Sequence, residues 1–302
     1  MPDLTGLWLT NVTPFTAEGA VDHDAFSEHV AWLVDNGVER FVPAGNTGEY
    51  ASLDAAEVVH LTELTRESAP NGVVVAGVGG PIGPTLELTR AVMAAGADAV
   101  MVHHPVHTHA GRDGLAAYFR QIAEAADGKV VLYKRSHRVS DDLVVELLRE
   151  GSAIAVKYAV NDLIAFKRAQ VQLPDAHWIC GTAELWAPFF QLLGAVGFTS
   201  GLGNAAPRIS VAMEDALRRN DLGRVMELRE LVRDLEELRA EEDAAKNVPV
   251  IRAAMELAGY RIGPPRPPLA ELSREDALRV ARSWQAWTAA DLVTAASDTG
   301  PG

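Results

Sequence analysis

Ala153-Ile154-Ala155-Val156-Lys157-Tyr158-Ala159 is an apolar run broken by a single lysine. A run this long without polar alternation suits a strand buried on both faces, as in a parallel sheet. Working outward, runs of the same kind recur at residues 7–12, 40–43, 73–78, 99–103, 130–133, 177–180 and 197–200. With 153–158 they make eight.

The stretches between them have helical spacing. Phe26, Val30, Leu33 and Val34 mark 24–36 as a helix, and Gly37 follows as its stop. Asp54 with Glu57 three residues on forms a capping-box start for 54–69. Residues 85–95, 113–126, 141–150 (capped by Ser140), 162–170, 184–193 and 207–219 complete the series. Eight strand–helix repeats with short connections predict an α/β chain closed into a (β/α)8 TIM barrel. A doubly wound open sheet is the alternative. It usually carries a glycine-rich phosphate loop after its first strand, where this chain has Thr10-Asn11-Val12-Thr13-Pro14-Phe15.

Beyond the eighth unit the texture changes. Residues 222–240 are charged and amphipathic, 247–258 are apolar on one side, and Gly263-Pro264-Pro265-Arg266-Pro267-Pro268 is a stiff connector. A last helix is expected over 273–289, with Glu275 and Asp276 in its first turn. The expected division is a barrel over 1–220, additional C-terminal helices over 221–290 packed on the barrel or a neighbouring subunit, and a loose tail over 291–302.

The 302 residues are 48% hydrophobic and 23% charged, a globular composition with enough chain for a full core. The formal net charge of −14 argues against nucleic acid and anionic membranes as partners. No stretch approaches ~18 uninterrupted apolar residues, so no membrane span is expected. The N-terminal Met1-Pro2-Asp3-Leu4 does not open a signal peptide. A single cysteine, Cys180, precludes an intrachain disulfide and points to the cytoplasm. Its apolar neighbours suggest a buried, inert thiol.

In barrel enzymes chemistry gathers at the C-terminal ends of the strands. Of five lysines (Lys129, Lys134, Lys157, Lys167 and Lys246), only Lys157 is expected inside an apolar strand. Burying an ammonium favours the neutral amine, the form that attacks a carbonyl. A structural lysine paired with a buried acid is the equal alternative. Tyr133 ends the neighbouring strand and is placed to carry protons, or else to pack as an amphipathic plug. The turn Gly45-Asn46-Thr47-Gly48-Glu49-Tyr50 offers backbone N–H groups and polar side chains suited to a carboxylate. Arg138 is either a second anion anchor or a solvated surface arginine. His103, His104, His107 and His109 share one loop but lack metal-ligand spacing, so no metal or other cofactor is expected; one of them lining the pocket is.

In these residues the chain closely resembles the dihydrodipicolinate synthase / N-acetylneuraminate lyase family of Schiff-base lyases, over about residues 7–287. Further markers are Ala76-Gly77-Val78-Gly79, Ala94-Ala95-Gly96-Ala97-Asp98-Ala99 and Gly194-Ala195-Val196-Gly197-Phe198-Thr199-Ser200-Gly201. The resemblance implies that Lys157 forms the imine and Tyr133 is the general acid and base. It implies that Asn46 and Thr47 bind the 2-oxo acid carboxylate, and that Thr199 touches the pyruvyl part. Arg138 falls on the arginine that synthases use for a second carboxylate. A homo-oligomer, tetramer or dimer, is also implied.

Two departures bear on the reaction. Asn46 replaces a hydroxyl of the synthase proton relay, and His107 stands near where synthases place a relay tyrosine. Both favour aldol cleavage or dehydration of a small 2-keto-3-deoxy sugar acid. A synthase-like condensation of pyruvate with an aldehyde, and a non-catalytic keto-acid-binding sensor, are the alternatives.

Overall fold

The computed structural model describes residues 2–105, 107 and 109–293. Eight parallel strands close into a barrel in sequence order. They are β1 (Gly6–Leu9), β2 (Arg40–Phe41), β3 (Val73–Val78), β4 (Ala99–Val102), β5 (Val130–Lys134), β6 (Ala155–Tyr158), β7 (His177–Cys180) and β8 (Gly197–Ser200). Helices α1 (His23–Asp35), α2 (Ala55–Ser68), α3 (Ile82–Ala94), α4 (Arg112–Ala125), α5 (Asp141–Arg149), α6 (Leu163–Gln170), α7 (Ala183–Leu192) and α8 (Pro207–Arg218) alternate with them. The expected (β/α)8 barrel is the fold.

Side chains of a strand alternate between faces, and the alternation sorts the core into an inner and an outer layer. Trp8, Val42, Val75, Met101, Val131, Tyr133, Ala155 and Ile179 cluster inside the barrel. Their sequence neighbours, among them Leu7, Ala76, Leu132, Val156 and Cys180, join a larger cluster with the surrounding helices. Lys157, two residues after Ala155, therefore belongs to the inner face. Trp8 fills the N-terminal end of the barrel, its Nε1 donating to Leu4 O at 2.9 Å.

Several element ends follow local chemistry. Asp54 and Glu57 form both bonds of the expected capping box. Ser140 accepts from Leu143 N to start α5. Helix α3 begins at Ile82, a turn earlier than expected, because Pro84 sits within the first turn, where no N–H is needed. The expected β2 run 40–43 is shortened to two residues. Ala44 turns the chain at φ +54°, although Val42 N still donates to Leu9 O at 2.7 Å. β1 likewise stops at Leu9, and Asn204 takes over beyond it: its side chain accepts from Val12 N and donates to Thr10 O.

Three further helices, α9 (Leu222–Ala244), α10 (Asn247–Leu257) and α11 (Arg274–Ala289), pack against one another, and α9 lies along α7 and α8. Val225, Leu228, Val232, Leu235 and Leu238 of α9 join the outer core cluster. Regular α9 geometry ends near Ala240, and the chain bends through Glu241–Asp243 with positive φ at Glu242 and Asp243. Of the expected tail, 294–302 lie outside the described residues. Val293 is buried in the same cluster as Trp284 and Trp287. No helix among the described residues is long and apolar enough to cross a membrane.

One lysine corrects the sequence reading. Lys134 also ends a strand and is more deeply buried than Lys157. It follows Tyr133, so it faces outward toward the helices. There its ammonium donates to Val139 O at 2.5 Å, lies 3.2 Å from Asp141 and sits over the Tyr158 ring. It is a structural lysine, satisfied by the start of α5.

Candidate active site

A cavity of about 260 Å³ opens at the C-terminal ends of the strands. Asn46, Thr47, Tyr133, Lys157 and Thr199 all line it. The barrel register sets the central pair: Tyr133 of β5 lies directly opposite Lys157 of β6. Both side chains point inward, and Lys157 Nζ sits 4.5 Å from the centroid of the Tyr133 ring.

Lys157 is 4% exposed and, among the described residues, has no carboxylate within ion-pair distance. Its contrast with Lys134 is one of pairing: the Lys134 ammonium lies beside Asp141, while Lys157 has no carboxylate beside it among the described residues. Burial pushes the Lys157 pKa down from 10.5 to about 7. Cys180 opposes that shift, while Arg239 and Arg135 add to it by repulsion. A sizeable fraction of the amine is therefore neutral at neutral pH and able to act as a nucleophile. Burial pushes the Cys180 thiol up to about 12, which leaves it inert as expected.

Burial also raises the Tyr133 pKa, so its phenol stays protonated and available as an acid. Asn46 Nδ2 donates to Tyr133 Oη at 2.9 Å. That bond leaves the phenol proton free to be given away. His103 stands behind Tyr133, its ring edge-on at 5.9 Å. His103 Nε2 lies 2.9 Å from Ala44 O, placed to donate to it, and its ring stacks on Tyr50 at 4.1 Å. Burial lowers the His103 pKa to about 4, so it is neutral and acts as a wedge between the β2 turn and Tyr133. A Cβ on Gly77 would fall 1.9 Å from Ala44 O; only glycine lets the β2 turn close onto β3 at this point.

The turn that presents Asn46 and Thr47 is anchored from behind. Glu49 is fully buried at φ +58° and pairs with Arg252 of α10 at 2.8 Å. Arg252 also donates to Thr13 O, Ile262 O and Gly263 O. One guanidinium thus joins the β1 turn, the β2 turn and the segment after α10.

Two expected residues lie elsewhere. Arg138 is exposed outside the cavity, beside His104, while Arg135 lines the cavity instead. His107 is exposed on the loop after β4 and accepts from His109 N. None of the described histidines of that loop lines the cavity, contrary to expectation; His103 is turned inward beneath it. Among the described residues, no three His, Cys, Asp or Glu side chains gather as a metal site.

The opposite wall was not anticipated. It comes from α7 through Trp186, and from α9 and α10 through Glu236, Arg239 and Asn247. Arg239 Nη1 donates to Glu236 at 2.5 Å and Nη2 to Asn247 Oδ1 at 2.7 Å. A sequence signal exists: Val225, Leu228, Val232, Leu235 and Arg239 follow one seam of α9, and the last is charged.

Fold and cavity together describe a closed (β/α)8 barrel with a polar cavity at the strand C-termini. The chain belongs to the dihydrodipicolinate synthetase family, whose model matches residues 3–286. A relative from Saccharopolyspora erythraea named "Probable 5-dehydro-4-deoxyglucarate dehydratase" is 32% identical, covering 89% of each chain. A 4-hydroxy-tetrahydrodipicolinate synthase from Methanopyrus kandleri is 34% identical, covering 90% of this chain and 92% of that one. The crystal structure of dihydrodipicolinate synthase from Bacillus clausii superposes with a TM-score of 0.90 at 40% identity, covering 94% of this chain and 97% of that one. The protein is an enzyme of lyase type.

Proposed function

We propose that the enzyme forms an imine between Lys157 and C2 of a 2-keto-3-deoxy sugar acid, and then cleaves or dehydrates it. The observation that carries this reading is the buried Lys157 amine, without a carboxylate partner among the described residues, facing Tyr133 across adjacent strands. Nζ adds to the C2 carbonyl, Tyr133 delivers a proton to the carbinolamine hydroxyl, and water leaves. The protonated imine draws electrons from C3. In dehydration the C3 proton is removed and the C4 hydroxyl departs as water. In aldol cleavage the C4 hydroxyl loses its proton, the C3–C4 bond breaks and the pair moves into the enamine, which is reprotonated at C3. Hydrolysis then frees the amine. Asn46, Thr47 and the turn's backbone amides hold the C1 carboxylate, with Thr199 beneath the three-carbon unit.

Asn46 supports cleavage or dehydration over condensation with an aldehyde, since its amide meets Tyr133 where a relay hydroxyl would pass a proton. Incubation with a panel of 2-keto-3-deoxy acids tests the reading, with pyruvate release and water loss followed separately. Turnover of aspartate semialdehyde with pyruvate, and of no sugar acid, would contradict it. Tyr133→Phe is expected to lower kcat by about 10²–10⁴, the usual weight of a general acid–base group. Steady-state kinetics on the best substrate measures it. We extend the reading, on the strength of the family, to a cytoplasmic homo-oligomer, dimer or tetramer, working without a cofactor.

A further inference from the structure

We propose that a second cavity, between α1 and the segment after α10, binds a small primary ammonium ion with an alkyl body. It shares no lining residue with the cavity around Lys157 and does not depend on the imine reading.

This cavity, of about 680 Å³, is formed by the connection from β1 to α1, the first turns of α1 and residues 259–263. His29 of α1 lines it and is only 2% exposed. His29 Nε2 lies 2.9 Å from Asn204 O, and a carbonyl only accepts, so Nε2 carries the ring proton. Burial pushes the His29 pKa down to about 4, so the ring is neutral at neutral pH. Nδ1 then holds a lone pair. It is buried and has no partner among the described residues. Thr16 Oγ1, also in the lining, is buried and unpartnered too. Leaving a buried acceptor without a donor is costly, and a ligand N–H would satisfy it.

Charge decides what that N–H belongs to. Asp22, Asp24 and Glu28 line the cavity against a single base, Arg261. Asp22 is taken by α1, whose Ala25 N it caps. Asp24 and Glu28 stand one turn apart on a common face of that helix, and neither joins an ion pair among the described residues. Asp24 also offsets the dipole of α1 from its first turn, but Glu28 lies beyond that turn, and the helix dipole does not account for the bare His29 Nδ1. An anion would meet acids and lone pairs here. A protonated amine meets acceptors and opposite charge, and such charge-assisted bonds are the strong ones. Met255 and Ile262 offer apolar surface to an alkyl chain, and the Tyr260 ring adds a π face that favours a cation. The cavity also backs onto the anchor of the active-site turn. Phe15 N donates to Ile262 O at 3.0 Å, and Arg252 donates to Ile262 O and Thr13 O. A bound ammonium would hold α1 against that segment.

The test is calorimetric titration of the full chain, without keto acid, using three probes: butylammonium, neutral 1-butanol, and tetramethylammonium, which has the charge but no N–H. Butylammonium is expected to bind one to one and to raise the melting temperature as it saturates. The other two should bind at least about tenfold more weakly, the usual weight of one charge-assisted hydrogen bond. Glu28→Gln, at an exposed position, should weaken butylammonium by about tenfold and leave 1-butanol unchanged. His29→Phe should do the same, but it also removes the bond to Asn204 O, so Glu28→Gln is the variant that decides. Lys157→Met should bind butylammonium as the wild type does, because the two cavities are separate. No saturable binding of butylammonium would overturn the proposal. So would equal binding of the three probes, full affinity in Glu28→Gln, or loss of binding in Lys157→Met, which would move the amine to the active site.

Discussion

Lys157→Met is expected to abolish turnover and to raise the melting temperature at once. Losing a covalent nucleophile should cost about 10⁴-fold or more in kcat. The stability gain comes from the same burial that lowers the lysine pKa. Its ammonium is buried without an ion-pair partner among the described residues, and methionine fills similar space with no charge. The gain depends on pH. Below about 7 the lysine is protonated in both folded and unfolded chains, and the cost of burying the charge is carried in full. Between about 7 and 10.5 the unfolded chain holds a proton that the folded chain has released, so wild-type stability rises with pH. The advantage of Lys157→Met should therefore be largest near pH 6 and shrink toward pH 10. Thermal melts at both ends of that range measure it. A variant that melts lower than wild type at pH 6 would show that the lysine is structural after all.

Arg252→Ala is expected to be the most damaging single change to the fold near the site. It leaves Glu49 buried without its partner and strips donors from Thr13 O, Ile262 O and Gly263 O. Breaking one side of a buried ion pair costs about 3–5 kcal/mol. Burial already presses the Glu49 pKa upward against the pull of Arg252, so the stranded carboxyl should take up a proton. The urea midpoint should fall accordingly. The paired change Glu49→Gln/Arg252→Met should recover part of the loss, because no buried charge is then left alone. An unfolding free energy within about 1 kcal/mol of wild type for Arg252→Ala would place the pair among interactions of surface strength. Activity should fall with stability, since the same pair holds the turn that presents Asn46 and Thr47.

The barrel was legible because parallel strands buried on both faces leave continuous apolar runs. The predicted bounds of β3, β7 and β8 match the structure residue for residue. Where turns bend into the barrel mouth, the runs outlast the strands: Thr10 to Val12 and Val42 to Pro43 are buried but lie beyond the ladder. Lys134 was misjudged because β5 runs one residue past Tyr133, and that residue faces the helices. The lysine, tyrosine and Asn46-Thr47 turn could be placed from strand ends alone. Arg239 could not, because its place in the cavity wall depends on how α9 packs against the barrel helices. In the sequence it is one charge on an already charged helix. Arg138 and Arg135 differ by three residues on one loop, and no local pattern says which of them turns inward.

The most direct test of the account is borohydride reduction of the enzyme in the presence of pyruvate, with the modified peptide located by mass spectrometry. The account predicts one reduced pyruvyl adduct, on Lys157, absent from Lys157→Met and absent from the still more deeply buried Lys134. No adduct with pyruvate or any 2-keto-3-deoxy acid, or an adduct on another lysine, would contradict it.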